Sequence, residues 1–533
     1  MTDAAVSLSA PRVGTSPWVV AAIVVVPTFM EVLDTTIAVV ALRYIAGGLS
    51  ATVDDGEWVL TSYLAANAII LPITGWLSAH LGRRTYFLLS IGVFTLASGL
   101  CGMATSLNQL IFFRVIQGLA GGGLQPSSQG VLLDAFPREK QGIAMTLFGL
   151  AALLAPVVGP TLGGWITDQY SWRWVFLINV PVGLLALAAC AIKLRDPDYL
   201  IAARKELRKR PFSFDSIGLS LLVIVMVCWE VMLSKGQEWD WLGDPFWRVQ
   251  TLAILFGAGL IGLIFWELRH RSPVVNFRPL RERNFAACCI FIFFAFAVLY
   301  GASTSLPGLL QSLFGYDALS AGLVMSPAGL FALLAMPVIG ALLGRGTDAR
   351  WLLATGLLVM AAGNYWMSQM NLDISPGEVV WPRVLVVLGL SMCFAPANVA
   401  AYLYVPLELR GAAVGLLSLL RNEGGSVGTS MAQTLQERRD QFHVLRLGEY
   451  LDPFNAAVRS FLDQARALAQ TGDPAASQQL AWQALENLRQ QQASALAYFD
   501  CFWIFAIVTL GLVSVVLLMK RSVAQKGAHV SAE

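Results

Sequence analysis

The chain has 533 residues, 56% of them hydrophobic and only 13% charged. Soluble domains run nearer a quarter charged, so this composition argues against a water-soluble fold. The net charge of +2, with no block resembling a nucleic-acid patch, argues against nucleic acid as a partner.

A helix needs about 20 apolar residues to cross the hydrocarbon of a bilayer. Runs of that kind begin near Pro17, Glu57, Tyr86, Leu107, Gly142, Trp172, Ser216, Arg248, Phe285, Leu319, Trp351, Val379, Gly411 and Phe499, fourteen in all. Backbone in lipid must satisfy its own hydrogen bonds, so runs this long read as a helical bundle and an all-α polytopic membrane protein. Residues 1–16 are polar and almost uncharged, and no cleavable signal peptide is expected from them. Cys101, Cys190, Cys228 and Cys393 lie in apolar runs and Cys288 adjoins Cys289. Without zinc or haem spacing they read as free core thiols, so no metal and no cofactor is expected.

Lys and Arg set the orientation. With a cytoplasmic N-terminus, the inner loops hold Arg83, Arg84, Arg138, Lys140 and the stretches "KLRDPDYLIAARKELRKRP" and "RHRSPVVNFRPLRER". The short outer loops keep only Arg43, Arg173, Lys235, Arg248 and Arg383. This bias predicts both termini in the cytoplasm. On the outer side, residues 433–498 are polar and rich in Gln and Ala, with Leu462, Ala465, Leu468 and Ala469 at helical spacing. Two amphipathic helices broken at "TGDP" are expected there, either as a solvated spacer or as a docking surface for a partner.

An internal repeat relates "LPITGWLSAHLGRRTYFLL" at 71–89 to "MPVIGALLGRGTDARWLLA" at 336–354. Each has Pro-x-x-Gly closing an apolar run before a basic turn, and duplicated halves with a site between them are a transporter signature. In "GLAALLAPVVGPTLGGW" the residues Gly149, Ala152, Pro156, Gly159 and Gly163 share one helical face. Small residues let membrane helices approach closely. Pro156 and Pro160 each lose a backbone hydrogen bond, so the same helix is expected to hold a bend.

That stretch resembles the G-x-x-x-G-P-x-x-G-G signature in the fifth helix of major facilitator antiporters, carried by Gly159, Pro160, Gly163 and Gly164, with Ala155 at its first glycine. "FFRVIQGLAGGGLQP" resembles the fourth-helix motif, with Arg114, Gln117 and Gly118 at its marked positions. "GWLSAHLGRR" resembles the loop motif after the second helix, through Gly75, Gly82, Arg83 and Arg84. "VLDTTIAVVAL" resembles the first-helix motif of drug exporters, with Asp34 as its acid. Together with "RWVFLINVPVG" and "SVGTS", these cover nearly the whole chain and are most similar to the fourteen-helix drug:proton antiporters of the EmrB/QacA type. The resemblance implies a major facilitator fold: a six-helix bundle over 1–192, a linker with two inserted helices over 193–284, and a second six-helix bundle over 285–533. Two departures stand out. Ala79 replaces the loop motif's Asp, which removes a usual charge partner, and Arg43 stands where many relatives place Pro.

Ionisable residues at membrane depth are costly and mark pathways or proton relays. Glu31 and Asp34 share a face of the first helix. Asp34 and Arg114 are the candidates for proton coupling. Glu31, Asp34, Gln117, Asn398 and Glu423 are the candidates for substrate binding. Arg421 and Glu423 are two apart, so they cannot be each other's partner. Glu230 is expected to snorkel from the end of the first inserted helix.

The function implied is proton-coupled export of hydrophobic, often cationic, toxic compounds by alternating access around a large apolar cavity. Export of a specific metabolite, such as a fatty acid or a siderophore, is the alternative. Relatives in Gram-negative bacteria work with a periplasmic adaptor and an outer-membrane channel. The resemblance implies a place in the inner membrane, surrounded by lipids, and makes 433–498 the candidate surface for such an adaptor, the alternative being a spacer. A membrane enzyme would need clustered acids for a metal-diphosphate, whereas "DPDY" and "TVDDGE" are isolated pairs on opposite sides.

Overall fold

The computed structural model describes residues 16–137, 140–207, 209, 215–270, 273–452, 454–469 and 474–522. Arg138, the basic residues at 208, 210 and 271, and residues 471–473 of "TGDP" therefore lie outside the described residues. Among the described residues there are helices and no strand.

The first half comprises α1 (Pro17–Gly48), the short α2 (Val53–Gly56), α3 (Trp58–Leu81), α4 (Arg83–Gly102), α5 (Leu107–Gly121), α6 (Leu124–Ala135), α7 (Gln141–Gln169), α8 (Arg173–Leu177) and α9 (Asn179–Lys193). After α10 (Asp198–Leu207) come the inserted pair α11 (Ser216–Lys235) and α12 (Arg248–Arg269). The second half comprises α13 (Arg283–Ser312), α14 (Ala318–Met325), α15 (Pro327–Gly344), α16 (Ala349–Ser368), α17 (Pro376–Tyr402), α18 (Arg410–Gly448), α19 (Ala456–Ala469) and α20 (Pro474–Leu517). Among the described residues, ten helices are long and apolar enough to cross a membrane, or eleven with bent α7 counted as one span. All fourteen predicted runs fall on one helix or on two consecutive ones. The runs on α5–α6, α16 and α18 stand outside that count: α5 and α6 are separate helices of 15 and 12 residues, and α18 carries the buried Arg421 and Glu423.

Close backbone approach sets the register. A Cβ at Gly118 would lie 2.4 Å from the Tyr63 carbonyl of α3. Cβ atoms at Gly424 and Gly428 would lie 2.2 and 2.0 Å from the carbonyls of Phe293 and Ala297 on α13. Glycine on one face thus seats α18 against α13 and turns the neighbouring polar face elsewhere. In α7 the segments Ile143–Pro156 and Thr161–Gln169 are bent by 45°, the bend expected from the paired prolines, although the Pro160 side chain lies outside the described residues.

The inserted pair docks at the seam between the halves. Trp229 of α11 stacks on Phe256 of α12 with ring centroids 4.6 Å apart. Toward the first half, Lys235 binds Glu57 at 2.8 Å, and the hydroxyls of Ser234 and Thr61 lie 2.5 Å apart. Toward the second, Ser426 and Ser430 of α18 donate to Glu230 at 3.0 Å and to the Leu233 carbonyl at 2.6 Å. Three charges placed at loops or helix ends by their sequence positions are instead buried: Lys235, Glu230, and Arg383, which donates to Ser303 at 2.8 Å. Each has polar partners on a neighbouring helix, which spares it the excursion to water that snorkelling requires.

The polar segment 433–498 continues two spans rather than forming a loop of its own. α18 runs on to Gly448 and α20 begins at Pro474, while Arg439 and His443 bind Asp500 at 2.5 and 2.7 Å. Val458 and Leu462 of α19 bury against Ala481 and Leu485 of α20 in a small separate core. The two amphipathic helices expected around "TGDP" are thus α19 and the start of α20.

Candidate functional site

The acids of α1 occupy two distinct settings. Asp34 is sealed: its Oδ2 accepts from Arg114 Nη1 at 2.6 Å, with both side chains fully buried. Its Oδ1 accepts from Gln117 Nε2 at 2.9 Å and from Asn179 Nδ2 at 2.7 Å. Arg114 also donates to the Val59 carbonyl at 3.0 Å and lies 4.1 Å from the centre of the Tyr63 ring. A buried ion pair persists only when its remaining donors and lone pairs are satisfied, and Gln117 and Asn179 meet that need for the carboxylate.

Glu31, one turn earlier, opens toward the other half. Tyr63 and Asn67 donate to its Oε1 at 3.3 and 3.2 Å, and Gln125 Nε2 donates to its Oε2 at 2.5 Å. The same Gln125 accepts from Arg421 Nη2 of α18 at 2.5 Å. Glu31, Gln125 and Arg421 thus form a hydrogen-bonded chain from α1 through α6 to α18, joining the two halves.

A small cavity of about 20 Å³ sits on that chain, lined from the first half by Val32, Leu71 and Gln125 and from the second by Phe296, Tyr300 and Arg421. That is room for about one water molecule, far below the hundreds of Å³ of a small-molecule site. The large apolar cavity expected from the sequence is therefore contracted in this conformation and carries a cation and several hydrogen-bonding groups. Asp34 and Gln117 stand behind it. Asn398 bridges the halves elsewhere, accepting from Gln129 of α6 at 2.7 Å. Glu423 faces α11 and is not among the pocket's lining residues.

The glycine motifs lie where the halves meet or helices cross. Cβ atoms at Gly159 and Gly163 would lie 2.2 and 3.1 Å from Thr36 and Ile37 of α1, whereas one at Gly149 would lie 2.3 Å from Phe394 of α17. Pro156 and Gly164 are buried within the same helix. The small-residue face of α7 therefore serves both halves along its length. A Cβ at Gly322 of α14 would lie 2.0 Å from Thr161 of α7, and one at Gly75 of α3 would lie 3.1 Å from the Gly411 backbone of α18, so the halves touch at both ends.

In the loop motif, Gly82 has φ +91° and starts α4 with a left-handed turn that a side chain would strain. Arg83 pairs with Asp134, and Asp196 accepts from the Arg84 backbone at 2.8 Å. Ala79 thus does not leave the loop without acids, since they come from α6 and from the segment after α9. Gln125, Asn67, Asn179, Asp134 and Asp196 were not singled out from the sequence. The first three are polar residues in apolar runs, whereas Gln117 is named from its marked position in the fourth-helix motif.

The Major Facilitator Superfamily profile matches residues 24–429. The chain belongs to the major facilitator superfamily. Within it, the chain is 37% identical to the multidrug export protein EmrB of Haemophilus influenzae, over 92% of this chain and 94% of that protein. It is 35% identical to the fatty acid resistance protein FarB of Neisseria gonorrhoeae, over 83% of this chain and 85% of that one. The solved structure of the human organic anion transporter MFSD10 superposes with a TM-score of 0.58 over 94% of this chain and 100% of that one, at 14% identity, which speaks to the fold. This major facilitator protein is an all-helical multi-pass membrane protein, with ten or more apolar spans among the described residues.

Proposed function

We propose that this protein exports hydrophobic and cationic toxic compounds across the bacterial inner membrane in exchange for protons, by alternating access of its two halves. The observation that carries the reading is the Glu31–Gln125–Arg421 chain across the pocket. A cationic compound entering the pocket competes with Gln125 for the Glu31 carboxylate, and a proton on Glu31 removes the charge that both seek. Either event weakens the link between the halves, because hydrogen bonds to a charged acceptor are roughly twice as strong as neutral ones. The charge state of Glu31 thus bears on both substrate attraction and the link between the halves.

Asp34 and Arg114 supply the second element. A proton on Asp34 frees Arg114 from its ion pair, and the buried cation must then move or find another acceptor. We assign this pair to proton coupling and Glu31 to substrate attraction, with Gln117 and Asn179 holding Asp34 in place. Both termini are assigned to the cytoplasm from the charge bias, which puts α19 and the start of α20 in the periplasm as the surface for an adaptor protein. The deciding experiment is transport driven by a pH gradient in proteoliposomes, with one cationic and one neutral compound. Absence of drug-linked proton movement for both would overturn the reading.

A second reading is export of an amphipathic acid such as a fatty acid. Arg421 on the pocket wall favours it, as does the similarity to a fatty acid resistance protein. Transport of a long-chain carboxylate in the same vesicles separates the two.

A further inference from the structure

The first two acids of α1 do not exhaust the carboxylates buried in this protein. Glu230 of α11 and Glu423 of α18 are 2% and 5% exposed. Glu423 stands one turn before Ser426, the residue of α18 that bonds Glu230, which brings the two carboxyl groups together across the seam between the inserted helix and the second half. Glu230 accepts from Ser426 at 3.0 Å. No donor lies in hydrogen-bonding geometry with either oxygen of Glu423, and the polar groups beside it are the Glu230 carboxyl and the Trp229 side chain.

The placement follows from the chain. Gly424 and Gly428 press α18 onto α13, which turns Glu423, Ser426 and Ser430, spaced by three and four, toward α11. Arg421, two residues from Glu423, points to Gln125.

The charges that the packed helices bring nearby are engaged elsewhere. Lys235 of α11 binds Glu57 and Glu238, Arg439 and His443 of α18 bind Asp500 of α20, Glu267 of α12 lies beside Asp215 and Gly218 at the other end of α11, and Tyr300 of α13 is on the Arg421 side of α18. Among the described residues neither Glu230 nor Glu423 forms an ion pair with a cation. Two carboxylates side by side at membrane depth without a cation repel strongly, whereas one proton lets the second carboxyl donate to the first.

We propose that Glu230 and Glu423 form a second proton-binding site, holding one shared proton that fastens the inserted α11 to α18 when the halves are closed. When that proton leaves to water, repulsion between the carboxylates loosens α11 from the second half. Since α11 also holds the first half through Lys235 and Ser234, the inserted pair then becomes a proton-sensitive strap over the seam. The proposal rests on the proton-coupled reading above but concerns a different site, away from Glu31 and Asp34.

The test uses the purified full chain in detergent and infrared absorption of protonated carboxyl groups at neutral pH. Compared with wild type, the Glu230→Gln/Glu423→Gln variant is expected to lose the band of one protonated carboxyl. Should that variant fail to fold, Glu423→Lys replaces the shared proton by an ion pair to Glu230 and is expected to lose the same band. A folded variant of either kind with the wild-type band intact overturns the proposal. Binding of a cationic dye is measured on the same samples. Loss of the band without dye binding to any protein, wild type included, would leave the proton site standing and remove the efflux reading.

Discussion

Arg421 of α18 donates to Gln125 of α6 at 2.5 Å, a hydrogen bond between residues 296 positions apart that joins the two halves inside the pocket. Its consequence is testable because Gln125 has two jobs. Gln125→Ala takes from the buried Arg421 guanidinium its 2.5 Å acceptor and from Glu31 one of its three donors. Losing a hydrogen bond to a charged group costs about 1.5–3 kcal/mol, so the thermal midpoint should fall and coupled transport with it. Gln125→Glu restores an acceptor for Arg421 but opposes Glu31, so it should recover stability while cationic transport stays impaired. Equal transport by all three proteins would show that the link has no part in the cycle.

The Asp34–Arg114 pair predicts a coupling between mutations. Asp34→Asn keeps shape but leaves a buried, uncompensated guanidinium, at a cost of about 3–5 kcal/mol. Arg114→Gln strands the carboxylate in the same way. The Asp34→Asn/Arg114→Gln double variant should be destabilised by much less than the sum of the two, the sign of a direct interaction in a double-mutant cycle. All three should lose proton-driven efflux, and Asp34→Glu should retain some of it with a shifted pH optimum. Normal coupled efflux by Asp34→Asn would remove this pair from the mechanism.

Glycines divide into tight and open ones. At Gly428 a Cβ would fall 2.0 Å from the Ala297 carbonyl, while at Gly92 the first neighbour is Leu187 at 3.9 Å. Gly428→Ala must push α18 off α13 and should destabilise by about 1–3 kcal/mol. Gly92→Ala should be neutral or stabilising by up to about 1 kcal/mol, from helix propensity. Thermal unfolding in detergent reads both, and equal midpoints would contradict the close approach.

Topology is checked by impermeant thiol labelling in intact cells. The native cysteines are all buried, so they leave a quiet background. Ser460→Cys on exposed α19 should label from outside and Glu206→Cys on α10 should not. The reverse pattern would invert the chain in the membrane.

For the segment between α18 and α20, replacing residues 449–480 with a short flexible linker should abolish resistance in cells while purified protein still binds substrate. Undiminished resistance would make this segment a spacer rather than the adaptor surface.

Read without its structure, the chain declares its class, its helices and which residues are out of place in lipid. Hydropathy and period are local properties, and a charge in an apolar run is visible wherever it falls. Asp34, Arg114 and Glu31 could therefore be named, as could the small-residue face of α7 and its bend. Partnership is another matter, since it depends on which faces meet across helices far apart in sequence. Asp34 and Arg114 come together because Gly118 lets α5 settle on the α3 backbone. Glu230, expected to reach toward water, is buried instead because Gly424 and Gly428 rotate Ser426 and Glu423 onto α11. Likewise Ala79 looked like a lost charge until the fold brought Asp134 and Asp196 to the same turn. Hydropathy shows which residues must escape lipid, while helix register, set by backbone contacts at glycine, decides what each one finds there.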